Sequence, residues 1–189
     1  MLTVAAQTPV RIRRETAVLV LLAGAAVALS LGLYARLHTP ARQPIFLLGF
    51  SGMLQMKAWL STIVLLFVVV QLVTALWLWG HLPGHPRAPR WLPDLHRWSG
   101  SIAFAVSLPV AFHCIWSLGL VTTTLRVAVH GVAGCLFYGA YAAKMVGLRV
   151  RGLPGWALPV LGGSVLTFFV AVWLTAALWL FTRHGIPLT

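Results

Sequence analysis

Residues 58–80 read AWLSTIVLLFVVVQLVTALWLWG, a run of 23 residues without a formal charge. At 1.5 Å per residue a helix of this length reaches about 34 Å, enough to cross a hydrocarbon core of roughly 30 Å. Four further segments repeat the pattern, at 17–35, 98–119, 127–146 and 157–182. None of the five contains an acid, and Lys144 is the one formal charge within them. A membrane barrel would alternate apolar and polar residues along each strand, and these runs do not. The fold expected is all-α: a polytopic membrane bundle of five transmembrane helices in one domain spanning residues 1–189.

Composition agrees. Of 189 residues 60% are hydrophobic, and 14 cations face two acids, Glu15 and Asp94. A soluble domain is about one quarter charged, so this chain could not keep a water-exposed surface. Chemistry by paired carboxylates is excluded, because neither acid has a second one near it. The net charge of +12 does not point to nucleic acid. The cations fall in short clusters between apolar runs, and no basic stripe with interleaved aromatics is present. Membrane lipid is the expected surrounding and nucleic acid is not an expected partner.

Arg11, Arg13 and Arg14 precede the first run as in a secretion signal, but the run is long for one and no A-x-A cleavage site follows, so a retained first helix is expected. Five spans put the termini on opposite sides. Arg11, Arg13, Arg14, Arg87, Arg90, Arg97, Lys144, Arg149 and Arg151 then share one side, and Arg36, Arg42, Lys57, Arg126 and Arg183 the other. The positive-inside rule places the N-terminus in the cytoplasm and the C-terminus outside, in a bacterial plasma membrane. Residues 36–57 are too short in their apolar centre to cross and read as an interfacial segment. Residues 81–95 contain Pro83, Pro86, Pro89 and Pro93, which stop a helix and predict a rigid cytoplasmic loop.

With acids so scarce, the seven histidines carry the chemistry. His38, His81, His85 and His184 fall in loops or at helix ends, where imidazoles are ordinary. His113 and His130 lie inside spans, where ionisable residues are rare and mostly functional. By helical rise they sit about 9 Å and about 5 Å below the same membrane face. Two imidazoles from two helices suit the iron of haem b, a cofactor that bundle cores accommodate. The alternative is a pair of capping or interhelical hydrogen bonds. Arg126, one turn before His130, is placed to meet haem propionates. Gly131 and Gly134 leave room for a macrocycle, and Phe112, Trp116 and Phe137 are candidate walls. Close helix packing accounts for the glycines equally well.

His96 opens the third span. A second haem would need it with a partner such as His81 or His85, but 17 residues leave His96 and His113 about 100° apart on a helix. The position in phase with His130 on the fourth span is Lys144. One haem is therefore expected, with a second only as a candidate. Cys114 and Cys135 read as small core residues at different depths, and Cys114 should point away from its neighbour His113.

The stretch HRWSGSIAFAVSLPVAFH, residues 96–113, resembles the H-R-x-x-G opening and downstream histidine of cytochrome b561 and ferric-reductase-like membrane domains. RVAVHGVAGCLFYGAYAAKM, residues 126–145, is similar to the next ligand-bearing helix in small actinobacterial membrane proteins of that kind. The resemblance implies axial ligation by His113 and His130, with His96 a candidate ligand to a second haem. It also implies electron relay, from a quinone pool to an outer partner such as a Rieske-type iron–sulfur protein. Such a chain is an electron-transfer subunit rather than a self-contained enzyme. The competing class is a non-redox membrane subunit, either a scaffold or a small transporter. Transport is disfavoured because the spans hold no acid at mid-depth, where Gln71, Thr74, Ser107 and Thr167 offer polarity. An intramembrane hydrolase is weaker still, since spacing places no Cys–His or Ser–His pair.

Overall fold

The computed structural model describes residues 14–84 and 87–186, and every regular element among them is helical. Five long helices follow one another. They are α1 (Arg14–Leu37), α2 (Met53–Leu78), α3 (Leu92–Leu118), α4 (Leu125–Gly147) and α5 (Ala157–His184). All but α4 are long and apolar enough to cross a membrane. In α4 the run is diluted by His130, Lys144, two tyrosines and four glycines. Outward faces are apolar, as a lipid surface requires: Leu21, Leu22 and Leu29 on α1 are each more than 60% exposed.

Two helices begin earlier than their hydropathy predicts. α3 starts at Leu92 rather than near 98, because Pro93 sits in the first turn, where its missing N–H costs nothing. Asp94 in that turn suits the positive helix end and pairs with Arg97. The proline-rich stretch therefore stops short of 95, and His96 lies within α3. α2 likewise gains a turn at Met53–Lys57, of which Met56 and Lys57 are buried. At its other end Gly80, at φ +71°, closes α2: the Gly80 N–H bonds the Trp77 carbonyl at 3.0 Å and the His81 N–H that of Leu76 at 2.8 Å.

α1 packs on α4, α4 on α5, and α2 on both α3 and α5. The α1–α4 crossing is set by two glycines. A Cβ at Gly139 would stand 2.7 Å from the Gly24 carbonyl oxygen, and one at Gly24 equally close to that of Gly139. The α2–α3 seam is polar. Gln71 donates to the His96 carbonyl and, at 2.7 Å, to the Ser99 hydroxyl, while Thr74 Oγ1 lies 2.7 Å from His96 Nδ1. Val64, Ala103, Phe137 and Phe169 form the apolar centre.

The connection at 38–52 forms no helix and folds over the end of α3. There α3 widens into a π-helical stretch, His113–Leu118, and its loosened carbonyls take outside donors. The Ala41 N–H bonds Trp116 O at 3.2 Å, and that of Arg42 bonds Ser117 O at 3.0 Å. Such π segments occur often at functional sites. A second one, Leu174–Leu178, interrupts α5.

Candidate functional site

α3 and α4 face each other across a cavity of about 970 Å³ of atom-free space, counting its open mouth. Its lining comes from the C-terminal half of α1, the N-terminal half of α2, the C-terminal half of α3, the start of α4, and α5. The cavity therefore occupies one end of the bundle. Leu31, Val64, Val110, Leu118, Phe169 and Val172 make the wall mostly apolar, while Lys57, Ser61, Ser107, Cys114, His130 and Tyr138 bring polar atoms to it. The Tyr138 hydroxyl donates to Ser107 at 2.8 Å to Oγ and 3.1 Å to the carbonyl oxygen, which ties α4 to α3.

The two intramembrane histidines are held in the same manner. His113 opens the π stretch of α3 and is completely buried. Its Nδ1 lies 2.8 Å from the Pro109 carbonyl, which also accepts from the His113 backbone N–H. Its Nε2 is buried with no hydrogen-bond partner among the described residues. His130 is tied to the π stretch of α5, with Nδ1 3.2 Å from Thr175 Oγ1 and 3.3 Å from the Val172 carbonyl. Its Nε2 has only the Cys114 sulfur, at 4.0 Å. An imidazole that donates through Nδ1 to a carbonyl presents Nε2 as a lone-pair donor, and this is how metal-ligating histidines are oriented. As a donor set the pair suits haem iron.

The rings occupy different surroundings. His130 lines the cavity and His113 does not. The edge of His113 meets Phe46 of the connecting segment, centroids 4.6 Å apart and planes at 89°, and Phe112 flanks it. Cys114, next in sequence, points into the cavity instead. A macrocycle entering between α3 and α4 must part Cys114 from His130.

The other expected residues are placed as follows. Arg126 lies outside the cavity lining: its guanidinium donates to Thr175 O at 2.6 Å and stacks 3.8 Å over the Trp179 ring. Gly134 faces open space in the wall, whereas a Cβ at Gly131 would stand 2.4 Å from Leu120 Cδ1. Phe137 lines the cavity; Phe112 and Trp116 stack on each other outside it, centroids 6.2 Å apart. His96 is spent on the α2–α3 seam, with Lys144 close enough for their charges to interact. Of its candidate partners, His81 is exposed and His85 lies outside the described residues. Among the described residues no three metal-binding side chains cluster.

Three features escape the sequence. Cys114 and His130 do meet, although their spacing alone gives no hint of it. Lys57, which reads as a loop cation, is only 9% exposed and reaches the cavity. His38, which reads as an ordinary solvated ring, has both nitrogens on backbone carbonyls, Tyr34 O at 2.9 Å and Trp116 O at 3.1 Å, and so ties α1 to α3. The signal available for Lys57 was the absence of any acid to accompany it.

No curated protein and no solved structure matches the chain. A family profile does, over residues 16–188, and the chain therefore belongs to DUF6529, a family of unknown function.

Proposed function

We propose that this chain is a b-type haem cytochrome of the bacterial plasma membrane, with His113 and His130 as the residues that would hold the iron of one haem. The supporting observation is the shared posture of the two imidazoles. Each is anchored through Nδ1 to a carbonyl at a π segment or one turn before it, and each leaves Nε2 without a conventional partner. Were the buried His113 only a helix tie, its Nε2 would sit unpartnered in an apolar interior for no return, at a cost of about 1–3 kcal/mol.

When bound, haem supplies one-electron ferric–ferrous chemistry; the chain contributes the rest. Thr175 and the Val172 carbonyl orient His130, the Pro109 carbonyl orients His113, and the apolar wall keeps water from the iron. In this reading α4 is the fifth span, since it is packed between α1 and α5 along its length. The N-terminus is cytoplasmic, and the cavity end of the bundle faces outward. Quinone and a Rieske-type protein enter as partners through the sequence resemblance to cytochrome b561-like domains, not through any contact seen here. His96 remains a candidate ligand for a second haem only if a partner is found for it.

The test is the absorption spectrum of the full chain, purified in detergent from haem-replete cells. A Soret band with an α band that sharpens on dithionite reduction is expected. A colourless protein overturns the proposal, and a colourless protein held in a stable larger assembly would favour the scaffold class.

A further inference from the structure

Lys57 presents a problem that the fold alone does not resolve. It is nine-tenths buried, on the first turns of α2, and it lines the cavity. Its polar neighbour on the cavity wall is the Cys114 thiol. A thiol is a weak acceptor and carries no compensating charge of its own when protonated. The chain has two acids, and neither is available. Asp94 is paired with Arg97 at the start of α3, and Glu15 lies in the first turn of α1, at the opposite end of the bundle from Lys57. A cation withdrawn from water needs a partner of opposite charge, because desolvation otherwise costs several kcal/mol.

The cavity itself indicates what that partner is. Its wall is apolar and drawn from all five helices, far more surface than an inorganic anion needs. The hydroxyls on the wall are already committed: Ser61 to Ala58 O, Ser107 to Phe104 O, and Tyr138 to Ser107. That leaves one ammonium, with the Nε2 of His130 and the Cys114 thiol beside it. A phosphate head, with a second charge and three strong acceptors, would go largely unsatisfied. A carboxylate would not.

We propose that the cavity binds an apolar molecule bearing a carboxylate, and that the carboxylate pairs with Lys57. Two sources carry this chemistry, a long-chain fatty acid and a porphyrin propionate. The first is independent of the haem reading, and the second rests on it. In the second case Lys57, rather than Arg126, meets the propionate from inside the cavity, since Arg126 is already bound to Thr175 and Trp179.

The experiment uses the full chain made in a haem-auxotrophic host without haem supply, purified in detergent. Binding of cis-parinaric acid and its methyl ester, and of protoporphyrin IX and its dimethyl ester, is followed by fluorescence. At least one acid should bind about tenfold or more tightly than its ester, and the pair that discriminates identifies the source. Lys57→Met should abolish that preference and Lys57→Arg should retain it, with helical circular dichroism checking that each variant folds. Acid and ester binding alike, no binding of either, or an unchanged preference in Lys57→Met overturns the proposal. The haem reading is judged separately, by the absorption spectrum of protein from haem-replete cells.

Discussion

If the proposed haem reading holds, His113→Ala and His130→Ala should each yield a protein that inserts and folds but retains no more than a trace of haem. Loss of an outer-shell partner of a metal ligand typically costs 10–100-fold in affinity, and loss of the ligand itself should exceed that. The two variants differ in a second respect. His130→Ala also frees Thr175 and Val172 on α5, so some loosening of α4 against α5 is expected. His113→Ala releases only its own helix's Pro109 carbonyl and a T-shaped contact with Phe46. Haem retention, measured as the Soret-to-protein absorbance ratio after detergent extraction, should therefore fall for both, while thermal stability falls further for His130→Ala. Full pigment in either variant removes that residue from the ligand pair.

Gly139→Leu separates α1 from α4. The obstacle is backbone, not a flexible side chain: the first carbon of any side chain at 139 would lie 2.7 Å from the Gly24 carbonyl oxygen and 2.9 Å from Ala28 Cβ. Overpacking of this kind costs about 1–3 kcal/mol and more where nothing can yield, and membrane helices rely on close packing of small residues for association. Loss of monodisperse protein in size-exclusion chromatography, or a lowered melting temperature, checks it. Gly162→Leu is the matched control, since a Cβ there meets nothing within 4 Å. The opposite pattern, with 162 intolerant and 139 tolerant, would mean that the helix arrangement is wrong.

Helix identity was legible in the sequence because hydropathy over 18 or more residues is a long, redundant signal. The start of α3 was not. Pro93 is a helix breaker by rule and a helix starter by position, and only the turn in which it falls decides between the two. The π stretches at 113–118 and 174–178 had no periodicity to announce them, and they rotate every residue that follows. For that reason an ideal-helix phase fails for residues beyond 113, whereas the 100° between His96 and His113 lies within the α-helical part of α3.

The site was legible in part. Intramembrane depth alone singled out His113 and His130, because the bilayer penalises an idle imidazole wherever it points. Their partners were not legible: Thr175 reads as one more helical threonine, and it receives both His130 and Arg126 only because α5 loosens there. The spacing of Arg126 from His130 says which side of the helix it is on but not that Trp179 waits there. Lys57 reads as a loop cation because hydropathy begins the span at 58, whereas the helix itself begins at Met53.

The most direct test of the central claim is electron paramagnetic resonance of the oxidised protein at low temperature, with haem counted per chain on the same sample. Two imidazoles on one iron predict a single low-spin ferric signal integrating to about one spin per chain. A high-spin signal, or a protein without iron, contradicts it.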